Sequence, residues 1–382
     1  MFLCDLKIIL QMLDINKIRN DFELNDSIYL LSHSVGRPLK QSESNLSSVF
    51  FDAWKSTEPW HDWMNVFTQF QKSLSTLLNT NADNFCPQTN LSSALTKVLF
   101  SLPKQANKKT ILLSEHDFPS IGFVVQQATV LGYELKFLSK DVDQTNPDVW
   151  KDAMTEDVQW IIVTQVQSNT GVQIPVKEIV SIANEKNILS VVDVAQAVGI
   201  LPIDIDDWNA SFVIGSCVKW LCGSPGAGFL YINPNIIADC KPQDVGWFSH
   251  ESPFEFDIHH FKYHPKALRF FGGTPSVIPF VIAAHSIQYL SEIGIQNIRN
   301  HNIALTEKII NAVLPKYIVS PIISNHRSGT IILNFGEQQQ KTVENLKANN
   351  IAFDARAFGI RLSPHIYTNE DDIAKVITAI SI

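Results

Sequence analysis

The chain is poor in charge. Only 18% of its 382 residues are Asp, Glu, Lys or Arg, and cations are the minority, 30 against 38, for a net charge of −8. A surface of that sign repels a polyanion, which argues against nucleic acid as a partner. Cysteine is scarce too. The five, Cys4, Cys86, Cys217, Cys222 and Cys240, are odd in number and form no C-x-x-C pair. Reduced thiols in a cytoplasmic protein fit that pattern best. Long apolar runs are absent as well: no stretch reaches the roughly 18 uncharged residues of a membrane span, so no membrane partner is expected. The opening MFLCDLKIILQML is interrupted by Asp5 and Lys7 and is followed by no small-residue cleavage site. It reads as an amphipathic helix and not as a signal peptide. Internal repeats and low-complexity tracts are missing.

What is present is apolar material for a large core, with 45% hydrophobic residues. The length exceeds the roughly 250 to 300 residues at which a single core stops growing, so two domains are expected. From about Asn90 the pattern alternates. A helix over Leu91–Leu102 precedes the apolar run Thr110–Ser114, a helix over Ile121–Leu131 precedes YELKFL, and the strand Trp160–Val166 precedes a helix over Val176–Glu185. Ile188–Val194, Ser211–Ser216 and a strand Gly228–Asn233 at or near an edge complete this part. Short buried strands separated by helices predict an α/β fold with a mostly parallel sheet covered on both faces. Long helical spacing from Pro275 to about Tyr317 leads into TIILNF, TVENLKANN, IAFDAR, GIRLS and EDDIAKVITAI, the elements of a smaller α+β domain.

Ligands of an open parallel sheet bind at the carboxyl ends of its strands. There the sequence offers Asp193 with Gln196 three residues on, and Ser216 followed by Lys219 between Val218 and Trp220. A lysine among apolar neighbours is rarely buried without a function. Such an amine, with its pKa lowered, forms a Schiff base with an aldehyde, and a nearby carboxylate keeps a heteroaromatic nitrogen protonated. Pyridoxal 5'-phosphate needs both. Thr89, Asn90, Ser92 and Ser93 stand at a helix start that favours a phosphate. Phe118, beyond a strand end, offers a ring to stack, and Arg361 offers a planar fork for a carboxylate. GSPGAG (Gly223–Gly228) leads into a strand and is a turn more than a dinucleotide loop. His259, His260 and His264 lack a carboxylate or cysteine partner in phase, so no metal site is expected.

An ordered series of segments carries a family resemblance over about residues 28 to 368: IYLLSHSVG, QTNLSSAL, EHDFPS, QSNTGVQIPVKEI, VVDVAQAVGILPIDI, SCVKWLCGSPGAGFLY, VGWFSHESPFEF, ALRFFGGTP and IRLSPHIYTNEDDI. The chain resembles the class V aminotransferase branch of the fold-type I pyridoxal-phosphate enzymes, and within it looks most like the kynureninase group. D-x-A-Q with Lys219 following 26 positions after Asp193 is its most specific element, and GWFSHE points toward kynureninases.

The resemblance implies Lys219 as the Schiff-base lysine and proton carrier, Asp193 on the pyridinium nitrogen, and Gln196 on the phenolic oxygen. It implies Thr89, Asn90 and Ser216 on the phosphate, Phe118 over the ring and Arg361 on the substrate α-carboxylate. Trp247 and Thr274 would be further phosphate-side contacts from the neighbouring subunit of a homodimer, and Ser34, in the SHSVG turn, is a candidate substrate contact. The implied layout is an N-terminal segment (1–47) joining the small domain, a large cofactor domain (48–275), and a linking helix with the small C-terminal domain (276–382).

The departures are local. Val218 stands where relatives commonly carry His or Tyr reaching the phosphate, GGTP replaces S-N-P, and SHSVG replaces G-N-S-L-G. The segment IAFDARAFGIRLS, before and through the arginine strand, contains no cysteine, and the last cysteine is Cys240, which disfavours the sulfur transfer of cysteine desulfurases. Kynureninase-like Cβ–Cγ hydrolysis, transamination or epimerisation of a small amino acid, and a binding protein without turnover all remain open on the sequence.

Overall fold

The computed structural model describes residues 13–381; the helix expected over the first 13 residues falls almost wholly outside them. Twelve strands are found among the described residues: β1 (Ile28–Tyr29), β2 (Phe85–Gln88), β3 (Thr110–Ser114), β4 (Glu134–Leu138), β5 (Val158–Thr164), β6 (Leu189–Asp193), β7 (Phe212–Ser216), β8 (Gly228–Ile232), β9 (Ile331–Leu333), β10 (Ile351–Ala352), β11 (Asp354–Arg356) and β12 (Gly359–Leu362). Seven form the central sheet in the order β2-β8-β7-β6-β5-β3-β4. Neighbours from β7 to β4 run parallel, and β8 alone runs against the rest.

The sheet is buried on both faces because alternate side chains point to opposite sides of each strand. Leu112, Ile161, Val163, Val192, Val213, Phe229 and Tyr231 enter one core, packed beneath the helices Pro59–Leu78, Val176–Glu185 and Ile278–Ile293. Their neighbours Ile111, Leu113, Trp160, Ile162, Val191, Phe212, Ile214 and Leu230 enter the other, under Leu91–Leu99 and Pro119–Gln127. A third core gathers Ile28, Leu30, Leu305, Ile309, Ile331, Leu333, Ile351, Ile360, Leu362, Ile373 and Val376. Around it β11, β12 and β9 form an antiparallel sheet, while β1 pairs in parallel with β10. Chain from the beginning of the sequence thus sits among elements from its end.

Two elements have no counterpart in the sequence reading and a third starts elsewhere than expected. The tryptophan-rich stretch around Trp60 and Trp63 is a 20-residue helix, Pro59–Leu78, whose buried Val66, Phe67, Phe70, Leu74 and Leu78 recur at helical spacing. Strand β2 lay unrecognised because Pro87 interrupts it; an edge strand tolerates a proline that a central strand would not. The helix expected from Ile121 starts at Pro119, in the first-turn position where a missing N–H costs nothing, and tightens over Ala128–Leu131 before Gly132 at φ 81°. Among the described residues no single helix is long and apolar enough to cross a membrane.

Candidate active site

The parallel arrangement brings the carboxyl ends of β3, β5, β6 and β7 to one edge. Register sets Thr164 beside Asp193, and the antiparallel β8 places Gly228 between Ser216 and Gln88, so the β2 exit into Thr89 and Asn90 reaches the same edge. A cavity of about 180 Å³ opens there, lined by Asn90, Ser92, Phe118, Ser120, Thr164, Val166, Ser168, Asp193, Gln196, Ser216 and Lys219 among others. A larger groove, about 1190 Å³, involves Gln159 and Leu189 at the amino ends of β5 and β6. Strand-end chemistry selects the smaller cavity over it.

Within the cavity the side chains are held individually. Asn90 caps the helix Leu91–Leu99, its side chain accepting from Ser93 N at 2.9 Å. The other first-turn N–H groups have no acceptor inside the helix, and they and the dipole favour an anion. Asp193 is buried and accepts from Ala195 N at 2.8 Å. Burial raises its pKa, against the Ala195 N–H and the Lys219 charge. Lys219 is lowered by burial, with the Asp193 charge opposing and the Arg361 charge assisting that shift. Its Nζ lies 5.7 Å from the Phe118 ring centroid. Gln196 donates to His33 O at 3.0 Å and accepts from Trp220 Nε1 at 3.3 Å.

Gln196 is thereby tied to the turn at residues 31–36, which presses onto the lysine loop. Gly36 N donates to Val218 O at 2.8 Å, and a Cβ at Gly36 would collide with Lys219 O and come within 2.8 Å of Cys222 Cα. Only glycine fits this approach.

Arg361 does not itself line the cavity but touches it through Ser168. Nearly fully buried on β12, it donates from Nη1 to the carbonyl of Ser168, a cavity-lining residue, at 3.0 Å. Besides Arg361, the residues Thr89, Ser93, Ser34, Thr274 and Trp247, all named from the sequence, do not line the cavity. Thr89 is exposed, though its Oγ1 accepts from Asn90 Nδ2 at 3.3 Å. Ser34 and Thr274 are exposed. Trp247 packs at 5.3 Å from Trp60 and 4.3 Å from Phe248 and lines a separate hollow of about 480 Å³ with Phe256, Ile258 and Phe261.

Residues the sequence reading passed over also gather here. Ser120, Thr164 and Ser168 line the cavity. Asp117, beside Phe118, accepts from Ser114 N at 2.8 Å, and burial pushes its carboxyl up to about 7. Asp354 pairs with Arg361 and is contacted in turn by His33. Their signal was the pair of short motifs SHSVG and FDAR, whose partners lie far off in sequence.

The donor set fits pyridoxal phosphate. It combines an amine held toward its neutral form, a buried carboxylate at an adjacent strand end, an aromatic ring beside that amine, and hydroxyl and helix N–H donors at a third strand end.

Comparisons with known proteins agree with that chemistry. The aminotransferase class-V family profile matches residues 57–376. A kynureninase of Deinococcus radiodurans is 25% identical over 387 residues, covering 95% of this chain and 92% of that protein. An uncharacterized aminotransferase of Bacillus subtilis is 26% identical over 316 residues, covering 82% and 83%. Among solved structures, the apo cysteine desulfurase of Thermococcus onnurineus NA1 superposes with a TM-score of 0.85 at 18% identity, over 96% of each chain. At that identity the likeness concerns the fold.

Proposed function

The chain belongs to the class V aminotransferase family of pyridoxal-phosphate-dependent enzymes, and from that premise we propose that it is a kynureninase-like enzyme, cleaving the Cβ–Cγ bond of an amino acid such as kynurenine by hydrolysis. The observation that carries the reading is the convergence of Lys219, Asp193 and Phe118 on one cavity, with Arg361 bonded to its lining residue Ser168. The cofactor supplies an aldehyde for the substrate amine and a protonated ring that withdraws electrons from the bonds at Cα.

The chain's own residues do the rest. Lys219 Nζ, lowered by burial, carries the cofactor and then takes the proton from substrate Cα. The Asp193 carboxylate accepts the ring N–H; that cation stabilises its ionised form and offsets the burial that raises its pKa. Gln196 orients the ring oxygen from its anchorage on His33 O and Trp220. Asn90, Ser92 and Ser216 would hold the phosphate from the cavity wall, with Thr89 joining through its contact with Asn90; Phe118 would cover the ring and Arg361 would take the α-carboxylate. Ser34, exposed and outside the cavity lining, stays a candidate substrate contact on the strength of the resemblance alone.

Trp247 and Thr274 belong in this proposal to a homodimer, in which each serves the partner's phosphate. Phe254, Phe256, Ile258 and Phe261, 54%, 73%, 90% and 44% exposed, surround Trp247 and support a covering second copy.

Transamination of a small amino acid is the second reading, favoured by the Bacillus subtilis relative. Both reactions begin with proton removal at Cα and differ in how the resulting charge is used. A thiol-based sulfur transfer has less support. Cys86, Cys217, Cys222 and Cys240 are buried, and burial raises each thiol, Cys86 and Cys240 to about 12. Incubation of the cofactor-loaded protein with kynurenine should release anthranilate and alanine. Oxo-acid formation from an amino acid panel, without anthranilate, would instead establish the transaminase, and no product from either would leave a binding protein.

A further inference from the structure

We infer that Asp354, braced by His33, is the positioning residue of the carboxylate clamp: it grips one edge of the Arg361 guanidinium and aims the other at the substrate, so that selection of amino acids over plain amines depends on it. The inference rests on the reading of Arg361 as the α-carboxylate contact and adds the device that makes it selective.

The geometry begins with strand register. Asp354 on β11 and Arg361 on β12 are directly opposite partners in the antiparallel ladder, so their pairing is built into the hairpin. Asp354 Oδ1 accepts from Arg361 Nε at 2.7 Å, and Oδ2 accepts from Nη2. Nη1 donates to Ser168 O at 3.0 Å. A guanidinium has five N–H groups; three are engaged, and one remains on each terminal nitrogen. A carboxylate needs two donors for a bidentate contact.

Asp354 could in principle compete with a substrate carboxylate for the same fork, but its other contacts argue against displacement. His33 Nε2 lies 3.1 Å from Asp354 Oδ1, and His33 Nδ1 lies 2.6 Å from Ser363 Oγ, which is 2.8 Å from Thr330 Oγ1. An ionised carboxylate only accepts, so His33 Nε2 carries the proton and Nδ1 accepts from the Ser363 hydroxyl. Burial lowers the His33 pKa, in keeping with a neutral ring. Burial alone would raise Asp354, but hydrogen bonds from Arg361 and His33 outweigh it and hold the carboxyl far below its usual range. The acid, imidazole and hydroxyl fall in the order of a nucleophilic triad. Ser363, however, is fully buried and bonded to Thr330, so the chain is a brace. Pulling Asp354 away would leave Arg361 and His33 buried without their partner. Asp354 therefore stays, and the substrate meets the opposite edge. The backbone of His33 also holds Gln196, so one turn fixes both the clamp and a cavity wall.

The test uses cofactor-loaded protein titrated with L-alanine and, separately, with ethylamine, following the cofactor's absorbance. Asp354→Ala should weaken alanine about tenfold or more while moving ethylamine less than about twofold, and Asp354→Asn should fall between parent and Asp354→Ala for alanine. Alanine binding unchanged or tightened in Asp354→Ala, or equal weakening of both ligands, would overturn the inference. So would failure of both variants to load cofactor, because Asp354 would then support the whole site and not the clamp. A parent protein that loads no cofactor, or responds to neither ligand, would instead overturn the underlying reading of the site and this inference with it.

Discussion

Asp117 and Lys219 are both shifted by burial toward their neutral forms, one as an acid and one as a base. For Asp117 the consequence for stability has a definite sign. Its folded carboxyl titrates near 7, above the unfolded value of 3.8, so between those values the folded state binds a proton that the unfolded state has lost. Stability therefore falls as pH rises through that window. Asp117→Asn keeps an acceptor for Ser114 N and removes the charge. Apoprotein carrying it should unfold at higher denaturant concentration than the parent at about pH 8, with the difference shrinking toward about pH 5. Equal midpoints at the higher pH would mean that Asp117 ionises there without cost. At this scale the sequence was informative where chemistry coincides with a strand end: Asp193, Ser216 and Lys219 stand out for that reason. Asp354 and His33 did not, because what makes them notable is contact across 321 residues of chain, which no local pattern records.

Two asparagine-capped helix starts differ in their surroundings. Asn369 and Asp372 form a reciprocal capping box at Glu370–Ile380, remote from the cavity, whereas Asn90 caps Leu91–Leu99 at its edge. Replacing either asparagine by alanine should cost about 1 kcal/mol in chemical denaturation. Only Asn90→Ala should also weaken cofactor binding in a direct titration; an equal effect of Asn369→Ala would detach the phosphate from the Leu91–Leu99 helix. Elements with regular spacing were legible in sequence, as Val176–Glu185, Thr110–Ser114 and Glu370–Ile380 show. Pro59–Leu78 was masked because tryptophans crowd its first turns, and β2 because its proline is acceptable only at a sheet edge, a position known only once the sheet is assembled.

At the scale of the molecule, the two-faced sheet supplies a rigid edge for the cofactor, and the pairing of β1 with β10 returns the beginning of the chain to the elements that carry Arg361. The exposed aromatic surface around Trp247 leaves one large feature to be covered. Light scattering should give twice the 42.9 kDa chain mass, and a monomer that still binds cofactor fully would remove Trp247 and Thr274 from the site. The cofactor chemistry proposed for this site depends on one bond, between Lys219 and the cofactor aldehyde. Cofactor-loaded protein reduced with borohydride and digested should carry a phosphopyridoxyl group on the peptide containing Lys219, and Lys219→Ala should carry none. A stable adduct on another lysine, or no adduct in the parent protein under saturating cofactor, would contradict it.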